Sequence, residues 1–97
     1  MTSGVILAQL FDGDRPAVGA SISAEPRPAP HTCYENDEHV PQCDLTATRA
    51  SGMIWFFDVT PGAVKLWGQL ADKRRLQARQ ITVTAGTLVY IGLEPAK

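Results

Sequence analysis

The sequence predicts an all-β fold, a seven-stranded antiparallel β-sandwich. Three observations predict it. Short apolar or alternating runs recur with turn signals between them. No window carries a 3.6-residue apolar period with capping residues, so almost no helix is expected. The stretch Gly52-Met53-Ile54-Trp55-Phe56-Phe57-Asp58-Val59-Thr60-Pro61-Gly62-Ala63-Val64-Lys65-Leu66 reads as two strands joined by a Thr-Pro-Gly turn. Pro presets φ there, and Gly adopts turn conformations that a Cβ resists.

The elements follow in order. Gly4 to Phe11 is an apolar strand, and Asp12-Gly13-Asp14-Arg15-Pro16 is a turn. Val18 to Ala24 is a second strand, with Val18, Ala20 and Ile22 in phase and Gly19 closely packed. Residues 26–44 hold four prolines and an acidic group (Glu35, Asp37, Glu38 and Asp44), and read as one long loop. Loops of that length are usually functional or mobile. Leu45 to Arg49 is a short third strand, and the Gly52–Leu66 pair supplies the fourth and fifth. After the charged turn Asp72-Lys73-Arg74-Arg75, Gln77 to Thr84 and Leu88 to Leu93 complete the set. The expected core is Val5, Leu7, Val18, Ile22, Ile54, Phe56, Val59, Val64, Leu66, Ile81, Val83, Val89, Ile91 and Leu93.

With 97 residues, the chain is one domain, residues 1–97. A domain of this size buries roughly 65% of its unfolded surface, enough for a core without obligatory metal or cross-links. Hydrophobic residues make up 44% and charged residues 20% of the chain, a globular composition. The formal net charge of −1 supplies no field for nucleic acid or an anionic membrane. Membrane insertion is not expected, since no apolar run approaches the ~20 residues of a spanning helix. The start of the chain has no signal-peptide pattern and reads as a strand.

Three blocks carry a family resemblance. The first is Asp12-Gly13-Asp14-Arg15-Pro16-Ala17-Val18-Gly19-Ala20-Ser21-Ile22, the second Gly52 to Leu66, and the third Ile81-Thr82-Val83-Thr84-Ala85-Gly86 with the strand after it. In this order they resemble the carboxypeptidase regulatory-like domain, a transthyretin-like (prealbumin-like) β-sandwich. They span nearly all of the chain except residues 26 to 47. The sequence departs from the family at Arg49, where Asp often stands, and at Thr60, where a first Pro is common. The resemblance implies a non-catalytic module: a spacer, stalk or docking unit beside enzymes, surface proteins, outer-membrane transporters or secretion spike-tip proteins. The fold hosts many roles, so the function must come from a site.

An enzyme is not expected, nor a cofactor. The histidines are His31 and His39, both in the long loop, with no zinc-peptidase motif and no phosphate-binding glycine loop. Transthyretin-like hydrolases carry spread His and Arg residues and a characteristic tail, which Gly92-Leu93-Glu94-Pro95-Ala96-Lys97 lacks. The isopeptide cross-link of a related sandwich family needs an early Lys and a late Asn. The sole Asn is Asn36, and no Lys precedes Lys65.

Cys33 and Cys43 leave three readings open. A disulfide closing the loop stabilises by about 2.8 kcal/mol on chain entropy and implies an oxidising, extracytoplasmic compartment. A metal site would draw on His31, Cys33, His39 and Cys43, which offer zinc's preferred ligand types in an unfamiliar spacing. The third reading is two free thiols. Calcium at Glu35 to Glu38 lacks the EF-hand spacing.

Alternation marks a binding face. With Ile54 and Phe56 inward, Trp55 and Phe57 point outward; with Val64 and Leu66 inward, Lys65 and Trp67 do. If the Thr60-Pro61-Gly62 turn makes these strands neighbours, Trp55, Phe57, Trp67 and Lys65 share one outer face. Three readings compete for it. In one, the Asp72–Arg79 segment or the long loop covers it. In another it meets a protein partner, either a neighbouring domain or a second copy in a homo-oligomer. In the third it stacks on sugars. Lys73, Arg74 and Arg75 form a basic hairpin tip without the stacking aromatics that nucleic acid requires.

Overall fold

The computed structural model describes residues 3–25 and 31–95. It is all-β, with no helix among the described residues. Among the described residues nine strands form two sheets: β1 (Gly4–Asp12), β2 (Arg15–Pro16), β3 (Ser21–Glu25), β4 (His31–Glu35), β5 (Pro41–Gln42), β6 (Met53–Val59), β7 (Gly62–Gln69), β8 (Arg79–Val83) and β9 (Leu88–Leu93). The first sheet runs β9-β1-β6-β4-β5, with β2 folded back on the end of β1 through the Gly13-Asp14 turn. The second sheet is β3-β7-β8.

Every pair is antiparallel except β1 with β9, which run parallel from Val5↔Leu88 to Leu10↔Leu93. This corrects the uniformly antiparallel expectation. Parallel neighbours need a long crossover, and the intervening chain, which visits the second sheet as β7 and β8, provides it.

The Gly52–Leu66 segment does form two strands, but they are not neighbours. β6 pairs with β1 and β4, whereas β7 pairs with β3 and β8. The cause is a bulge. The β1–β6 register shifts between Gly4↔Val59 and Ile6↔Phe56, and Asp58 there adopts φ 56°. A bulge bends a strand and raises its twist, and strands that turn a corner between packed sheets commonly do so at one. Pro61 and Gly62 (φ 136°) then carry the chain into the other sheet.

The core lies between the sheets. Ile6, Ala8, Leu10, Ile54, Phe56, Ile91 and Leu93 from the first sheet pack in one cluster with Val64, Leu66 and Val83 from the second. Leu70 and Leu76 join the cluster, with Ile22 and Ile81 at its margin. The expected parity holds in β6, β7 and β9. It is inverted in β1, where Ile6, Ala8 and Leu10 face inward and Val5 and Leu7 outward. Val18, also expected in the core, is 62% exposed.

Thr48 explains the segment around Val18. Its buried hydroxyl accepts from Ala20 N (2.9 Å) and donates to Ala17 O (2.7 Å). Its backbone N–H bonds to Ala20 O, and Gly19 N bonds to Thr48 O, both at 2.8 Å. These contacts press Ala17 and Ala20 into the core. They also use the backbone groups that a strand at Leu45–Arg49 needs, and no strand forms there.

The long loop at residues 26–44 is replaced in its second half by a hairpin. β4 pairs with β6 from His31↔Phe57 to Tyr34↔Ile54 and so extends the first sheet. Asn36 turns the chain toward β5: its Oδ1 accepts from Glu38 N (2.9 Å) and Val40 N (3.1 Å). His39 closes the turn at φ 62°, as in hairpins built on a turn followed by a left-handed residue. The first half of that expectation, residues 26–30, lies outside the described residues.

Candidate docking face

The outer face of the first sheet is apolar across several strands. One row runs from Tyr90 on β9 through Leu7 on β1 and Trp55 on β6 to Cys33 on β4, each at register with the next. A second begins with Leu88 beside Val5, and a third joins Gly92, Gln9 and Met53. Leu88 and Tyr90 are 53% and 51% exposed, and Val5, Leu7, Met53, Trp55 and Phe57 are half-buried. A sheet with one solvated face normally alternates apolar with polar residues. Here Val5 to Ala8 and Met53 to Phe57 are apolar at both parities, so both faces of β1 and β6 are apolar.

Trp55 and Phe57, two apart on β6, stack with centroids 5.7 Å apart and planes 6° from parallel. The Trp55 indole N–H donates to Oε2 of Glu35 at 2.8 Å, and Oε1 of Glu35 meets Nδ1 of His39 at 3.3 Å. The Glu35 side chain is only 9% exposed. At the other edge, the Tyr90 hydroxyl donates to Oε1 of Gln9, whose Nε2 donates to Ser51 O. The Trp55, Glu35, Tyr90 and Gln9 side chains of this face are therefore hydrogen-bonded, while Asp58 at the end of β6 is exposed.

Cys33 and Cys43 form a disulfide. The β4–β5 register, Tyr34↔Gln42 and Glu35↔Pro41, places the two cysteines opposite each other one step further along the ladder. The cross-link ties β5 to β4. It occupies both thiols of the proposed His31, Cys33, His39 and Cys43 ligand set. Among the described residues no group of three or more His, Cys, Asp or Glu side chains is placed to hold a metal ion.

Trp67 and Lys65 stand elsewhere. They project from β7 on the outer face of the second sheet, with Lys65 Nζ 5.9 Å from the Trp67 ring centroid. Their strand neighbours are polar: Ser23 lies opposite Trp67, and Glu25 and Gln80 flank Lys65. The bulge at Asp58 separates the expected four-residue face into two, because it sends β6 and β7 to different sheets. Among the described residues neither expected cover lies over the apolar face. The hairpin of residues 31–42 is part of that sheet, and Leu76 in the 72–79 segment is buried in the core, its N–H bonded to Gly68 O.

The basic tip is partly neutralised. Arg74 bonds Asp72 through Nε at 2.7 Å and Asp12 through Nη2 at 2.9 Å. The Arg74 backbone N–H and then its guanidinium hold the Asp72 carboxyl below the usual carboxylate range.

The sequence reading missed Leu7, Tyr90, Leu88 and Glu35 as members of the site. The available signal was the pair of unbroken apolar runs, which alternation alone assigns to neither face. Comparison with protein-family models gives no match, and comparison with curated proteins gives none either.

Proposed function

We propose that this chain is a non-catalytic binding or scaffolding module that engages a protein partner through the outer face of its first sheet. In this reading the fold is a seven-stranded sandwich of the prealbumin-like, carboxypeptidase regulatory-like kind. It serves as an accessory domain of a larger surface, secreted or secretion-apparatus protein. The observation that carries the proposal is the apolar face itself. Contiguous exposed apolar surface in a soluble protein marks interaction sites, and Trp55, Glu35, Tyr90 and Gln9 are already hydrogen-bonded, so covering them strands none of these four. The Cys33–Cys43 disulfide supports an oxidising, extracytoplasmic setting. A hydrophobic fluorescent dye should bind the native protein, and Phe57→Ser with Leu88→Ser should reduce that binding severalfold at unchanged circular dichroism. Dye binding unaffected by the substitutions removes the proposal.

A second reading places a carbohydrate at Trp67. Two adjoining depressions of ≈ 200 and ≈ 300 Å³ share Trp67, Gly68 and Arg75, and Ser21, Ser23, Gln69 and Glu25 contribute to their walls. An aromatic ring among hydroxyl, amide and charged groups suits a sugar face and its rim. In a Trp55→Phe background Trp67 is the sole indole reporter. A fluorescence change on titration with an oligosaccharide panel supports this reading, and none across the panel eliminates it.

A further inference from the structure

We infer that the Trp67 face takes an acidic sugar, a uronate whose ring lies against the indole and whose carboxylate is held by Lys65 and Arg75. The inference rests on the carbohydrate reading of that face given above and names the class of sugar.

Charge selects the class. Lys65 and Arg75 are exposed; Arg75 lines both depressions and Lys65 the larger one. Register sets them on either side of the aromatic ring. Lys65 precedes Trp67 by two residues on β7, and Arg75 bridges to Gln69, two residues after it. Among the described residues the ion pairs are His39 with Glu35, Arg49 with Asp37, and Arg74 with Asp12 and Asp72, so neither cation of this face is in one. Glu25, opposite Lys65 in the β3–β7 register, is the one acid among the residues that line the two depressions. Two cations against one acid leave a surplus of one positive charge, in a chain whose formal net charge is −1. On the flanking strand, β8 adds Arg79 and no acid. Asp72 is held by Arg74, and Glu94 lines neither depression. A surplus of one suits a monoanion. A polyanion, such as a sulfated glycan or a nucleic acid, needs a run of cations and meets Glu25 instead.

Hydrogen bonding selects a sugar over an acidic peptide. The Ser21 and Ser23 hydroxyls and the Gln69 amide line the smaller depression beside Trp67. Gln69 Nε2 reaches Lys73 O at 3.4 Å; among the described residues the two serine hydroxyls and the Arg75 guanidinium bond to no other group of the chain. This is the reverse of the first sheet, where Trp55 bonds Glu35 and Tyr90 bonds Gln9. Open hydroxyl and amide groups match the hydroxyl rim of a sugar, and the indole matches its apolar face. The guanidinium fork binds a carboxylate through two parallel N–H bonds. The apolar side chains in the walls are Trp67, Leu76 and Ala78, and Leu76 is buried, so little is left to seat the side chains of a peptide. The larger depression, ≈ 300 Å³, lies at the lower end of the range for small-molecule sites.

Isothermal titration calorimetry on the intact, disulfide-bonded chain tests this. The probes are oligomers of galacturonate and of mannuronate and a hyaluronan tetrasaccharide, each as the free acid and as its neutral methyl ester. A sulfated galactan oligomer, an acidic tetrapeptide and a neutral oligosaccharide panel run alongside, with Arg75→Gln, Lys65→Gln and Trp67→Ala as variants. Lys65 and Arg75 are exposed, so their variants should keep the wild-type melting curve and remain interpretable if Trp67→Ala does not fold. The expected result is that at least one acid binds about tenfold more tightly than its ester. That gap should shrink severalfold in Arg75→Gln and in Lys65→Gln, and narrow with added salt. An ester that binds as tightly as its acid, or a neutral panel that binds while every acid fails, overturns the uronate and leaves the carbohydrate reading standing. No binding by any sugar overturns both. Tighter binding of the sulfated oligomer or of the acidic peptide than of every uronate gives the face to that class and overturns this one. Affinity for the acid unchanged in all three variants places the sugar on another surface and overturns the inference as well.

Discussion

The Trp55 indole donates to Oε2 of Glu35 at 2.8 Å, across two strands of the first sheet and over a sequence separation of 20 residues. This bond ties the aromatic pair on β6 to the hairpin that ends β4. It also places a carboxylate on an otherwise apolar surface without presenting its charge. Glu35→Ala leaves the half-buried indole N–H without its acceptor, and the cost of one charge-assisted bond is about 1.5–3 kcal/mol. Glu35→Gln retains an acceptor and should lose less than half of that. Guanidinium unfolding followed by circular dichroism gives the order. Equal stability of the alanine variant and the wild type shows that water replaces Glu35 freely.

Reduction of Cys33–Cys43 should destabilise the domain by about 2.8 kcal/mol, the chain-entropy value for a loop of this length. The loss should concentrate in the β4–β5 hairpin, because β5 has two residues and holds to the sheet only through β4. Amide exchange of the hairpin, compared before and after reduction, locates it. Faster exchange spread evenly over both sheets would show that the cross-link acts globally.

Tyr34 sets an alkaline limit. Its ring points into the core, and its hydroxyl oxygen accepts from Ile22 N at 3.0 Å, joining the two sheets. Burial raises its pKa, and the Ile22 bond offsets this in part. Since the folded value lies above the unfolded one, the associated stability is complete below the unfolded pKa of about 10. It declines as pH rises through the folded value. Ultraviolet titration of phenolate should show one tyrosine ionising late and together with unfolding. Tyr34→Phe should remove that coupled phase.

Asp58 is the corner residue, held at φ 56° in the left-handed region. Left-handed backbone costs an ordinary residue roughly 1–2 kcal/mol, and Asp or Gly less. Asp58→Gly should therefore be neutral or slightly stabilising. Asp58→Val should cost about 1–2 kcal/mol, read as a lower guanidinium midpoint at an unchanged slope. A tolerated Val means that the bulge relaxes into another geometry.

The separate roles of sequence and tertiary structure are clearest in β1 and β6. Strand content was legible because turn residues interrupt the apolar runs at short intervals. Alternation also assigned the inward residues of β7 and β9 correctly, since Lys65 stands between Val64 and Leu66, and Gly92 between Ile91 and Leu93. The β4 strand was illegible behind its prolines and acids. Its order comes from pairing with β6 and from the disulfide, neither of which is a local property.

The chain by itself determined an all-β fold, the position of its central pair of strands, the shared side of Trp55 and Phe57 on β6, and the outward turn of Lys65 and Trp67. The tertiary structure decided which of these share a surface. In β1 both parities are apolar, so the side facing inward is fixed only by packing Ile6, Ala8 and Leu10 with Phe56 and the second sheet. At the corner after Phe57 the register shift sends β6 and β7 into different sheets. Period-two patterning specifies which side chains point the same way along one strand. It carries no information on which strands lie side by side, and that adjacency gathers Leu7, Trp55 and Tyr90 into one face and leaves Trp67 on the other.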